Sequence, residues 1–265
     1  MKKTTIEALL TWAFTLELPK IGTSEASYSA APSTWGILSD VINLGTMIDK
    51  SPNGYGVISG FSYEGEPHED ALVVGDAVRA LADRNFEIGA RWNPFPEWDD
   101  PQGLIAAEVS RVSAEQLGRS GRLNGRHVVS LVTTAAILKR GPDWRCDEPK
   151  TVMVMSNGKP AWFIMRKCRD RTGAIVNYED NGFDQRKQRP KPGAYRKYRL
   201  DHSARGAILS RLDWQLWQAA LDDLRESLCG RLRSHELAPF YPDRQPWATI
   251  RKLQPSGQAI DIAAE

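Results

Sequence analysis

Between residues 185 and 211 the chain carries nine lysines and arginines against one acid, Asp201. Arg186, Lys187, Arg189, Lys191, Arg196, Lys197 and Arg199 make the dense part of this run, and Tyr195 and Tyr198 stand among them. Ammonium and guanidinium groups neutralise phosphates and release counterions, while a tyrosine ring stacks on a base or donates to a phosphate oxygen. The chemistry expected of the run is therefore polyanion binding, with the seven cations on phosphates and the two tyrosines stacking or positioning. Pro190 and Pro192 exclude a helix over 186–191 and are expected to keep it extended. A solvated loop docked on the acidic N-terminal third of the same chain would use the same charges. If the run faces nucleic acid, replacing Arg196, Lys197 and Arg199 should weaken binding and leave the fold intact.

A second group of residues suits a different chemistry. Trp92, Phe95 and Trp98 lie in a loop with three prolines, and exposed together they would anchor a protein partner. Glu97, Asp99 and Asp100 beside them are hard-cation ligands by type, but pinning of the loop and capping of the next helix account for them more simply. Pro142-Asp143 and Glu148-Pro149-Lys150 spell the letters of a PD…ExK nuclease centre. The four residues between Asp143 and Glu148 are too few for the two strands that such a centre needs. Ser59 in GVISG lacks the glycine spacing of a nucleophile elbow, and the glycine-rich stretch 51–65 lacks the order of a phosphate loop. Cys146, Cys168 and Cys229, like His68, His127, His202 and His235, are scattered, without zinc or disulfide spacing. No catalytic residue, metal or cofactor is expected, and the balance leans away from an enzyme.

The overall charge of +2 hides a strong asymmetry. Residues 1–110 carry 7 Lys+Arg and 16 Asp+Glu, whereas residues 111–211 carry 22 and 9. A basic middle third of that density points to nucleic acid, DNA ahead of RNA, or to a phage or host protein as partner. No apolar run approaches the length of a membrane span. Glu7 interrupts the apolar start, so an amphipathic helix is expected there rather than a signal peptide, and with it a cytoplasmic protein.

The elements that must position these residues are mainly helical. Helices are expected over 5–18, 33–49, 69–84, 103–117 and 125–139, each from apolar residues at helical spacing. The last of these is almost wholly apolar from Val128 to Leu138, so the helix–turn–helix order of 103–139 does not offer a face for reading bases. The strongest pattern is C-terminal: Leu212, Leu216, Ala220, Leu224, Leu228 and Leu232 recur every four residues. Residues 151–179 change character and predict a three-stranded antiparallel meander with an Asn157-Gly158 turn. Arg166, Lys167, Arg169 and Arg171 make one end of it basic.

TIEALLTWAF at 5–14, LGTMIDKSPNGYGVI at 44–58, WNPFPEW at 92–98, LKRGPDWR at 138–145, GAYRKYRL at 193–200 and DWQLWQAALDDL at 213–224 resemble a family of uncharacterised proteins encoded in alphaproteobacterial phages and prophages. The resemblance spans most of the chain and implies a phage setting, but no activity and no catalytic residues. The expected fold class is α+β, mainly helical, with a small three-stranded antiparallel sheet at about 150–180. Three parts are expected: an acidic helical 1–110, a basic helix–meander–helix 111–245 packed with it, and a loose tail, 246–265.

Overall fold

The computed structural model describes residues 1–20, 55, 66–89, 91–118, 121–169 and 171–248. The helix expected over 33–49 and the tail beyond 248 lie outside them. β1 (Lys2–Thr4) leads into α1 (Ile6–Trp12), which Thr5 caps by accepting the Ala8 N–H at 3.2 Å. Past Trp12 the helix widens into a π turn, Ala13–Glu17, and closes in a 3-10 turn, Leu18–Lys20, that contains Pro19. α2 (Glu69–Ala80), α3 (Leu104–Gly118) and α4 (Gly125–Leu138) follow close to the expected bounds. α5 (Arg205–Leu228) has 24 residues, about 36 Å at 1.5 Å per residue.

The apolar stripes of these helices dictate the packing. Leu9 and Phe14, Val74 and Val78, Val128 and Val132, and Leu221 and Leu224 meet in one buried cluster drawn from both ends of the chain. A smaller cluster joins Ile105, Val109 and Val112 of α3 to Phe95 and to Ala204 and Ile208 at the start of α5. α5 therefore runs through both clusters. Leu224 is 1% exposed, so Leu224→Ala is expected to cost about 2–5 kcal/mol in urea unfolding. A loss under about 1 kcal/mol would take α5 out of the core. At Gly125, a Cβ would lie 1.9 Å from the carbonyl oxygen of Leu81, so glycine alone lets α4 start against the end of α2.

The leucine repeat does not carry the helix through Leu232. α5 ends at Leu228, the chain turns at Gly230 (φ 74°), and Leu232 is buried beyond it. β10 (His235–Leu237) then pairs in parallel with β1, Lys2 opposite His235 and Thr4 opposite Leu237. Asp70, in the first turn of α2 and 1% exposed, pins this return. Its carboxylate accepts the backbone N–H of Arg233 at 2.7 Å, of Ser234 at 2.9 Å and of His235 at 3.1 Å, and His235 Nδ1 lies 2.8 Å away. Burial pushes the Asp70 carboxyl up, but these donors outweigh it and hold the group below its usual range.

The aromatic loop folds inward. Phe95 is 3% exposed and Trp98 stacks on it at 3.8 Å between centroids. Trp92 is half-buried and donates its indole N–H to Gln215 Oε1 at 2.6 Å. The guanidinium of Arg211 lies 4.6 Å from the Phe95 ring, 5.2 Å from Trp98 and 4.6 Å from Trp247. It donates to the Pro94 carbonyl at 2.6 Å and pairs with Glu97. Phe95 is buried and Trp92 and Trp98 are half-buried, so the three rings are not exposed together. Phe95, Trp98 and Trp247 surround the buried Arg211 cation, a use of aromatics that favours packing and cation–π attraction over exposure.

The three-stranded meander is replaced by two-stranded antiparallel ribbons. β2 (Thr151–Met153) pairs with β9 (Tyr198–Leu200), and β3 (Met155–Ser156) with β4 (Lys159–Pro160) across the expected Asn157-Gly158 turn. β5 (Phe163–Arg169) pairs with β6 (Ile175–Asn181), and β7 (Phe183–Asp184) with β8 (Arg189–Pro190). The predicted strand segments exist, but their partners differ. Pro160 has no N–H to extend the first ladder, and Phe163 exchanges backbone hydrogen bonds with Tyr195 instead, at 2.9 and 2.8 Å. The edge of the first strand goes to β9. Among the described residues, no buried apolar side chain lies between 151 and 199, so the ribbons stand outside the helical core.

Candidate nucleic-acid interface

The expected extended segment 186–191 is a tight hairpin. Asp184 Oδ1 accepts the backbone N–H of Arg186 at 3.0 Å and of Lys187 at 3.2 Å, and Gln188 takes the left-handed conformation (φ 48°) that closes the turn between β7 and β8. Pro190 fits because it sits at the end of a two-residue strand. Arg186, Lys187 and Arg189 are exposed on this hairpin, and no carboxylate among the described residues lies at ion-pair distance from them.

The second half of the basic run is partly structural. Arg196 lays its guanidinium 3.9 Å over the Trp162 ring, half-buried. Lys197 pairs with Glu179 and stands 5.0 Å from the Phe163 ring. Tyr195 donates its phenol hydrogen to the other oxygen of Glu179. Lys197 first, and then Tyr195, hold the Glu179 carboxyl below its usual range, and the same bond pushes the Tyr195 phenol up. Lys191 donates to the Asn181 carbonyl at 2.7 Å. Of the nine expected contact residues, Arg186, Lys187, Arg189, Tyr198 and Arg199 are exposed, whereas Lys191, Tyr195, Arg196 and Lys197 are half-buried in the ribbon junction. Removing Arg196, Lys197 and Arg199 together would therefore strip packing from Trp162 and Glu179, and an intact fold is no longer the expectation.

Gly182 is the pivot between the β5–β6 and β7–β8 hairpins. Its N–H donates to the Trp162 carbonyl and its carbonyl accepts the Lys191 N–H, both at 2.8 Å. A Cβ on it would lie 2.8 Å from the Phe163 carbonyl group. From this junction β5 and β6 run out as a ribbon of seven cross-strand pairs, Phe163 opposite Asn181 through Arg169 opposite Ile175. Arg166 Nε lies 3.1 Å from Asp180, while Lys167, Arg169 and Arg171 are exposed without a carboxylate partner among the described residues. The basic run alone omits these residues. The signal that could have placed them is the pairing register, because a long ribbon without a buried face carries whatever charges it holds into solvent.

Other polar clusters have local roles. Asp100 Oδ2 accepts the Ala106 N–H at 2.8 Å in the first turn of α3. His127 Nε2 lies 2.9 Å from Asp213, which also accepts from Arg122, and burial, followed by the Arg122 charge, lowers the His127 pKa. Asp143 closes a turn on the Arg145 N–H, and Glu148 accepts the Asp99 N–H at 3.3 Å. Among the described residues no group of three metal-ligating side chains gathers, and no helix is long and apolar enough to cross a membrane. No family model matches the chain, and no curated protein or solved structure does either.

Proposed function

We propose that this protein binds nucleic acid, duplex DNA ahead of RNA, as a non-enzymatic regulatory or accessory protein in a phage setting. One observation carries the proposal. Seven exposed cations, Lys167, Arg169, Arg171, Arg186, Lys187, Arg189 and Arg199, stand on ribbons outside the core, with no carboxylate partner among the described residues. The described acids nearest to them are used at the ribbon junction, where Glu179 serves Lys197 and Asp180 serves Arg166. Contacts to phosphate then dominate, and sequence preference is small: α4 buries Val128 and Val132, and the polar residues it exposes, Arg126, Ser130 and Thr134, include a single cation. The phage setting rests on the resemblance of the sequence stretches alone.

The test is a salt titration of binding to labelled duplex DNA, single-stranded DNA and RNA. With about five phosphates neutralised on duplex DNA, log affinity should fall against log salt with a slope of roughly −4 to −5. Folded protein that binds none of the three at low salt would overturn the proposal.

A further inference from the structure

The β5–β6 ribbon is unusual in having no face to bury. Every described residue from Met165 to Glu179 is exposed, on both sides of the pleat. An isolated two-stranded hairpin is marginal in water, so one that projects five exposed pairs, about 17 Å, is costly unless something covers it. Residues 165–177 carry four lysines and arginines and one acid, which selects an anionic partner. Residues directly opposite each other share a face. The register therefore puts Met165 with Glu179, Lys167 with Asn177 and Arg169 with Ile175 on one side, and Arg166 with Tyr178 and Cys168 with Val176 on the other. On the first side Glu179 is occupied by Lys197 and Tyr195. Beyond it, Lys167, Asn177 and Arg169 make no side-chain hydrogen bond or ion pair among the described residues.

We propose that this ribbon enters the major groove of duplex DNA, with Lys167, Asn177 and Arg169 contacting base edges. The proposal rests on the nucleic-acid reading above and deepens it. A B-form major groove, about 12 Å wide, admits a two-stranded ribbon, and the side chains on the first face are those that pair with bases there. Arg and Lys donate to the guanine N7 and O6 acceptors, Asn to adenine N7 while accepting from N6, and Ile175 suits a thymine methyl. An A-form RNA groove is too deep and narrow for the same entry. On this reading the ribbon supplies what sequence preference there is.

The experiment uses the full chain and a random-sequence DNA duplex pool, followed by the sequence enriched from it and its counterpart with 7-deazapurines, which lacks major-groove N7 acceptors but keeps every phosphate. Enrichment of a defined sequence, and roughly tenfold weaker binding to the deaza duplex, are expected. Asn177→Ala leaves the charge unchanged. It should keep the salt slope of the native protein while losing roughly tenfold on the enriched sequence and much of the discrimination against the deaza duplex. If the pool yields no preferred sequence, or the deaza duplex or the same sequence as duplex RNA binds as well, groove reading is overturned and phosphate binding stands. If the native protein binds no nucleic acid, both proposals fall.

Discussion

Converting Arg186, Lys187 and Arg189 together to alanine is expected to weaken duplex DNA binding about 100-fold at about 0.15 M salt and to flatten the salt slope by about 2–3. These three side chains lie on the tight β7–β8 hairpin, exposed and without a carboxylate partner among the described residues. The hairpin itself is closed by Asp184 and by backbone pairing of Phe183 with Pro190, neither of which the substitutions touch. The unfolding midpoint in urea should therefore stay in place. Arg196→Ala provides the contrast: it removes one charge and also the half-buried guanidinium over Trp162, so stability should fall more than the slope changes. A triple variant that stays folded and binds with the native slope would remove this hairpin from the interface.

Asp70→Ala is expected to cost about 3–5 kcal/mol of stability, because a buried acceptor disappears while its donors remain. Three backbone N–H groups and the His235 ring converge on that carboxylate. Replacing it leaves the 233–235 turn without partners and loosens the parallel pairing of β10 with β1. The local readout is hydrogen exchange at Ala238, whose N–H donates to the Thr4 carbonyl at 2.9 Å and should lose its protection in the variant. The pH dependence has a definite sign. The Asp70 carboxyl titrates below its usual value of 3.8 in the folded chain, so its contribution is fully present above that value and fades as pH falls through the lower folded one. Native protein and variant should thus approach each other in stability at acid pH. A difference below about 1 kcal/mol at neutral pH would mean that solvent replaces the carboxylate.

Apolar spacing made the helices legible. Thr5, Asn124 and the leucines of α5 mark their elements because capping and 3.6-residue periodicity are local properties. Strand partners are not local. The segments around 151–156 and 163–169 read correctly as strands, but nothing nearby says that Tyr198–Leu200 will take the edge of the first. The same limit hid β10, whose partner lies at the other end of the chain. Charge was half legible. Counting found Arg186, Lys187 and Arg189, yet it grouped them with Arg196 and Lys197, whose partners Trp162 and Glu179 lie far off in sequence. Trp92, Phe95 and Trp98 show a related limit: nothing in their proline-rich loop says that Arg211, far on in sequence, will lie against Phe95 and Trp98.

Lys150 and Asp201 close the base of the ribbon region. The Lys150 N–H donates to Asp201 Oδ1 and the Asp201 N–H to the Lys150 carbonyl, each at 2.9 Å. Residues 151–199 leave and re-enter the scaffold through this stem as a cassette, while Leu200 stays packed against the second cluster. Neighbouring strands lie about 5 Å apart, so a short turn could join 150 to 201 without displacing α4 or α5. Chain entropy hardly objects to the longer version, since each doubling of a loop costs only about 0.6 kcal/mol. A scaffold of this kind can exchange its ribbon region by recombination at two adjacent points while its own sequence drifts under separate constraints.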